Sequence, residues 1–345
     1  MSLFNGKISD FFGLDIGTIG IRLVKVANPS NTLQTYAYMP VDSKISMSDS
    51  KADQQQLAQS IKSLVAKSGI KTKNVAVGLP SQHVFTAVVD IERLNKEELS
   101  KTIRLQADSL IPTPISESKI DWELLGNSPI DKTKVEVLLS SVTNKYVEDR
   151  LDLLENIGLN VIAFEPDSLA IARALVAPDA LQAQMVLDMG NFSTDLVMVL
   201  NGSPRLIRSI PTGYDSIIKA AIQNLNIDDN QARQFVSKFG LNAQKLEGQI
   251  FHAISGTVDL LINEVDKSIK FFSTRYHGTP IERIILAGNA TSLPDFPVYV
   301  ANKFNINVEV GNAWRNVTFS PDRQNELLAL SAQFAVAVGL AERHV

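Results

Sequence analysis

The stretch LDIGTIGIRLVKV (residues 14–26) decides how this chain is read. An apolar run ends in Asp15, one apolar residue and Gly17 follow, and a second, alternating run begins at Ile19. Asp and Gly are common turn formers, so the stretch alone fits a plain hairpin. It recurs, however. DMGNFSTDLVMVL (188–200) is again an apolar strand ending in Asp, then one apolar residue, Gly, a small polar residue and a further apolar strand. Asp188 follows Asp15 by 173 residues, about half of the 345-residue chain. Two copies in matching contexts point to a duplicated β-β-β-α unit. Glycine lets successive N–H groups approach an anion, and an aspartate at a strand end can hold Mg²⁺ through its waters. Two such hairpins facing each other across a cleft would grip a nucleoside triphosphate from both sides.

Working outward, strands are expected at FFGLDI, IGIRLVKV and TLQTYAYMPV, with Ile21, Leu23 and Lys25 on one face of the second and Arg22, Val24 and Val26 on the other. An amphipathic helix over 54–67 stops at Gly69, and NVAVGLP (74–80) is a short buried strand. The next block differs in character. Strand TAVVDI, a helix over 96–110 ended by Pro112 and Pro114, strands KIDWELLG and VEVLLSSV, and a helix over 146–157 read as an insert with its own sheet. After LNVIAFEP and a helix over 167–176 the opening pattern returns. QMVLDMG, FSTDLVMVL and PRLIRSI are strands, with NGSP (201–204) as a hairpin turn. Helices over 214–225, 229–239 and 249–272, strands ERIILAG and NINVEV, and a helix over 325–342 complete the chain.

The totals exclude several classes of function. A net charge of −4 offers no basic excess to neutralise phosphates of nucleic acid. No cysteine is present, which removes disulfides and thiolate chemistry, and the four histidines lack ligand spacing. No signal peptide and no membrane-spanning run is visible, so a cytoplasmic protein is expected. Leu3, Phe4, Phe11 and Phe12 are expected to pack on the domain surface.

LAGNATSLPDF (286–296) places a strand end, Gly288 and small residues before a proline, a context for a backbone passing under a purine or for a helix N-terminus facing an anion. Glu264 and Lys267, in NEVDKS, share one helix face. With these in view, DIGT (15–18), DMGNFSTD (188–195) and LAGNATSLP (286–294) resemble the first phosphate, second phosphate and adenosine motifs of the actin-like ATPase superfamily. Within it, the chain is similar to the PilM family of type IV pilus assembly proteins, through FFG running into DIGTIGIRLVKV, ELSKTIRLQADSLIPTPISESKIDWELLG (98–126), ENIGLNVIAFEPDSLAIARAL (155–175) and ALSAQFAVAVGLAER (329–343).

The resemblance implies an α/β, actin-like fold of two duplicated ribonuclease-H-like lobes with a small inserted α+β subdomain. The first lobe would comprise 11–81 and 161–183, the insert 82–160 and the second lobe 184–320, with 321–345 forming a C-terminal helix packed back on the first lobe. ATP and Mg²⁺ would lie between the lobes. Asp15 and Asp188 would orient the metal and its waters. Gly17, Thr18, Gly190, Asn191, Ser193 and Thr194 would hold phosphates, Glu264 and Lys267 would reach the ribose and base, and Gly288 and Asn289 would line the adenosine loop, with Gly213 nearby. The family's glycines are replaced by Asn289, Ala290 and Tyr214, side chains that crowd or reshape the loop. At most slow ATPase activity is expected. The implied partner is the N-terminal cytoplasmic tail of a PilN-like inner-membrane protein, laid in a groove between insert and first lobe, with other pilus assembly proteins also possible; this would hold the chain at the inner face of the membrane without insertion. The alternatives are an FtsA-like filament protein, whose basic amphipathic end is not seen in GLAERHV, and a small-molecule kinase of the hexokinase group using Asp195.

Overall fold

A computed structural model describes residues 9–343, so the expectation for Leu3 and Phe4 lies outside the described residues. The first lobe opens with β1 (Phe12–Ile16), β2 (Gly20–Ala27), β3 (Thr32–Pro40), a short turn α1 (Ser43–Ser46), α2 (Lys51–Ser68) and β4 (Asn74–Leu79). The insert supplies β5 (Val84–Glu92), α3 (Lys96–Leu110), β6 (Ser118–Asn127) and β7 (Lys134–Thr143). Then follow α4 (Asn144–Glu155), β8 (Asn160–Pro166) and α5 (Asp167–Leu175). The second lobe runs through β9 (Ala183–Met189), β10 (Thr194–Leu200), β11 (Ser203–Ile210), α6 (Tyr214–Leu225), α7 (Asp229–Phe239), α8 (Gln249–Arg275), β12 (Ile281–Gly288), α9 (Phe296–Phe304) and β13 (Asn307–Val310). The helix α10 (Gln324–Ala341) closes the described chain.

The duplication is explicit in the sheets. One has the order β3-β2-β1-β4-β8 and the other β11-β10-β9-β12-β13, the same topology built twice. The opening hairpins match as well, with Asp15 opposite Arg22 and Asp188 opposite Asp195. The turn at 201–204 has Asn201 and Gly202 at φ 53° and 70°, which suits the twist of a two-residue hairpin. Helix α2 begins three residues before the expected Gln54, because the Ser50 side chain accepts from the Asp53 amide and caps it.

The lobes share an apolar layer. α5 and α10 lie between the two sheets, and their cluster joins Val24 and Val26 of the first lobe to Val186, Val197 and Ile285 of the second. On the outer faces, α2 and α4 cover the first sheet while α6, α7, α8 and α9 cover the second. The two faces expected of β2 meet layers on both sides. Ile21 and Leu23 enter the first-lobe core and Val24 and Val26 the inter-lobe layer. Phe11 and Phe12, expected on the surface, are buried, Phe12 because it opens the central strand β1 and Phe11 just before it.

The insert is a three-stranded antiparallel sheet, order β5-β7-β6, with α3 packed on it through Leu99, Ile103 and Ala107. Its expected extent of 82–160 includes α4, but Leu153, Leu154 and Leu159 belong to the first-lobe core. The amphipathic pattern of α4 defines a buried face without saying which sheet covers it. Among the described residues no helix is long and apolar enough to cross a membrane.

Candidate functional site

The two copies of the Asp-x-Gly turn meet in one cavity between the lobes, of about 230 Å³. Asp15, Gly17, Thr18 and Arg22 line it from the first lobe, and Asp188, Gly190, Asn191, Ser193 and Asp195 from the second. Gly288 and Asn289 close one side, Ser81 and Gln82 follow β4 into it, Asp167 enters from the start of α5, and Gln333 from α10.

Four carboxylates therefore face a small buried volume. Burial raises Asp15 against the opposing pull of Arg22, whose guanidinium stands 3.3 Å from its Oδ2. Burial, then the charges of Asp195 and Asp15, push Asp188 up to about 7. Asp167 is raised well above its ordinary value, first by burial and then by Asp15, Asp195 and Asp188. Burial also raises Asp195. The Oδ1 atom of Asp167 is buried without a hydrogen-bond partner among the described residues, while the Ser209 and Ser81 hydroxyls oppose the effect of burial on Asp195. Buried polar atoms of this kind are costly unless something polar meets them. Gly288, at φ 60°, allows a close approach: a Cβ there would lie 2.4 Å from Asp188 Oδ1.

The remaining expected residues fall elsewhere. Thr194 is fully buried and its hydroxyl donates to the Thr212 carbonyl at 2.7 Å, so it faces away from the cavity. Gly213 precedes α6, where the Tyr214 and Asp215 amides donate to the Gly190 and Asn191 carbonyls and fix that turn from behind. Glu264 and Lys267 do not line the cavity. They pair with each other at 2.5 Å, and Glu264 also meets Arg208 at 3.3 Å. Of the three departures from the family's glycines, Ala290 and Tyr214 pack with the second-lobe core, and only Asn289 faces the cavity, its Nδ2 donating to Asn191 Oδ1 at 3.3 Å.

Arg22, Asp167, Ser81 and Gln82 were not singled out as site residues from the sequence. Arg22 was within reach, since the hairpin register puts it opposite Asp15. Asp167 carried no such signal, because an acid at the first position of a helix serves the helix dipole equally well.

A second, larger cavity of about 650 Å³ separates insert and first lobe. Ile120, Trp122 and Leu138 form its insert wall, and Leu79, Phe164 and Leu169 its first-lobe wall. At its rim the Glu165 carboxylate is held by Arg173 and, at 3.0 Å, by Arg343.

Residues 13–345 match the profile of the family described as Type IV pilus assembly protein PilM. The chain belongs to that family. A solved PilM-PilN type IV pilus biogenesis complex contains a chain 26% identical to it, covering 96% of this chain and 97% of that one at a TM-score of 0.81. Ethanolamine utilization protein EutJ from Carboxydothermus hydrogenoformans is 15% identical, covers 99% of this chain and 91% of its own, and gives a TM-score of 0.57. MreB5 of Spiroplasma citri bound to ADP is 12% identical, with 95% and 94% covered and a TM-score of 0.52. The fold is thus the actin-like one expected from the repeated motif. The match of the whole chain to a pilus assembly family leaves the FtsA-like and sugar-kinase readings unfavoured.

Proposed function

We propose that this family member is a nucleotide-responsive scaffold of type IV pilus assembly, holding ATP with Mg²⁺ between its lobes and a PilN-like peptide in the groove beside the insert. The observation that carries the nucleotide reading is the convergence of four buried carboxylates from both lobes on one cavity. Mg²⁺ keeps most of its waters and takes one or two carboxylates together with phosphate oxygens. That habit fits a chain in which, among the described residues, no three acidic or imidazole side chains stand close enough to hold a metal by themselves. In this reading Asp15 and Asp188 receive the hydrated ion, which neutralises phosphate charge. The backbone at Gly17, Gly190 and Gly288 meets phosphate oxygens, and Asp167 orients water at the phosphate end. Glu264 and Lys267 would serve the base side only after the lobes part.

The peptide reading rests on a groove with apolar walls and charged residues beside them, and on β6 being an edge strand of the insert's sheet, a position that suits an extended segment. The related chain was solved as part of a PilM-PilN complex. Association with the inner membrane would then come through the partner.

Equilibrium binding of ATP with and without Mg²⁺, on the wild type and Asp188→Asn, tests the nucleotide site. Magnesium-dependent binding that the variant loses by at least tenfold is expected. Absence of binding at millimolar ATP in the wild type would reduce the protein to an actin-fold adaptor.

A further inference from the structure

The inter-lobe cavity, at about 230 Å³, is smaller than the roughly 300–1,000 Å³ of ordinary small-molecule sites, so parting of the lobes would make more room for a complete nucleotide. Where the insert goes when they part is decided by its fastenings. The chain ties it to the first lobe through the β4–β5 and β7–α4 connections. Between those connections, however, the two are separated by the 650 Å³ groove, and among the described residues no ion pair crosses it.

The opposite side of the insert is held in another way. Glu136 of β7, only 1% exposed, places its carboxylate among groups of the second lobe. Its Oε2 accepts from Arg205 of β11 at 2.8 Å. Its Oε1 accepts from Arg275, at the end of α8, at 2.7 Å and 2.9 Å, and from the Tyr276 hydroxyl at 2.8 Å. Arg275 also donates to Asp90 of β5 at 2.8 Å, and Arg205 to the Leu125 carbonyl at the end of β6 at 3.0 Å. All three strands of the insert are thus engaged by two arginines of the second lobe. Removing one partner from such a buried, charge-assisted cluster strands the others in a low dielectric, whereas parting the groove walls exposes surface that already borders solvent.

We infer that the insert moves as one body with the second lobe, clasped through Glu136, so that opening or closing of the inter-lobe cleft directly changes the width of the groove between insert and first lobe. A ligand in either cavity would then favour one lobe arrangement and bias the other cavity. The identities of the two ligands rest on the reading above; the coupled motion does not.

The absence of cysteine allows spin labels at chosen pairs. Lys101→Cys on α3 with Leu260→Cys on α8 reports insert against second lobe, and Lys101→Cys with Lys62→Cys on α2 reports insert against first lobe. Without ligand, the Lys101–Leu260 distance distribution is expected to be the narrower of the two. With Mg²⁺ and a non-hydrolysable ATP analogue, the Lys101–Lys62 distance shifts while the other holds, and Glu136→Gln broadens the Lys101–Leu260 distribution and shrinks that shift. A Lys101–Lys62 distribution as narrow as, or narrower than, the other overturns the inference, as does a nucleotide shift confined to Lys101–Leu260. If titration finds no binding of the analogue, the nucleotide reading fails alone, and the ligand-free widths of the wild type decide the clasp even where Glu136→Gln does not fold.

Discussion

Glu342 shows what burial does to a single carboxyl outside the inter-lobe cavity. It sits at the end of α10, 4% exposed, with Oε1 unpartnered among the described residues, and burial raises it to about 7 against the opposing effects of Asn316, Arg173 and Arg315. A carboxyl whose folded value lies above its unfolded one binds a proton more readily in the native state. The stability that this proton confers is complete below about 4.5 and is lost as pH rises through about 7. Glu342→Gln keeps the shape and removes the charge. Denaturant unfolding at pH 5 and pH 8 should therefore show the wild type losing on the order of 2 kcal/mol more than the variant between the two. An equal loss in both would assign the pH dependence to other groups. Reading this from sequence was not feasible, since a Glu near a chain end is ordinarily solvated. Arg22 differs, because a hairpin once recognised fixes its cross-strand pairs. Asp167 differs again: its proximity to Asp15 and Asp188 depends on the packing of α5 against both sheets.

Elements that are covered on both sides carried the fold in the sequence. The repeated strand-Asp-x-Gly-strand pattern announced the paired sheets because local register and turn chemistry are short-range properties. The crossing of α5 and α10 is a long-range one and left only a small trace, Gly339. A Cβ at Gly339 would lie 1.8 Å from the Ala170 carbonyl oxygen, so the two helices touch backbone to backbone there. Gly339→Ala gains about 1 kcal/mol in helix propensity. It must also separate α10 from α5, and overpacking of this kind costs about 1–3 kcal/mol or more. Because the obstructing atom is backbone, the second effect should win, giving a net loss of about 2 kcal/mol by chemical denaturation; a stabilised variant would mean that the helices do not cross at this residue. The groove permits a prediction at the same scale. Of the two tryptophans, Trp314 is buried with its Nε1 donating to the Leu327 carbonyl at 2.7 Å, whereas Trp122 lines the groove. A peptide corresponding to the N-terminal tail of a PilN-like protein should change Trp122 emission on binding. Trp122→Ala should weaken it by about 2 kcal/mol, roughly thirtyfold, as for a central aromatic anchor. Unchanged affinity, measured calorimetrically, would move the peptide out of this groove.

Taken whole, the molecule has no clean seam between its halves. The α5–α10 layer contains side chains from both sheets, so separating the lobes completely would expose Val24, Val186, Val197 and Ile285 together. Any widening of the small inter-lobe cavity must therefore be a bend about this layer rather than a parting of two bodies. The same layer makes the lobes interdependent in stability. Phe334 of α10 lies at its centre, 1% exposed, edge-on to Tyr36 of β3 at 5.4 Å and tilted against Trp314 at 5.9 Å. Phe334→Ala removes that bridge, and burial of a large aromatic predicts a loss of about 3–5 kcal/mol. Because Tyr36 belongs to the first lobe and Trp314 follows the last strand of the second, both lobes should feel the loss at once. Urea unfolding followed by far-UV circular dichroism and by Trp314 fluorescence in a Trp122→Phe background should give coincident transitions, shifted together to lower denaturant. Two resolved transitions, with one lobe keeping its wild-type midpoint, would show that the layer belongs to a single lobe and that the hinge lies elsewhere.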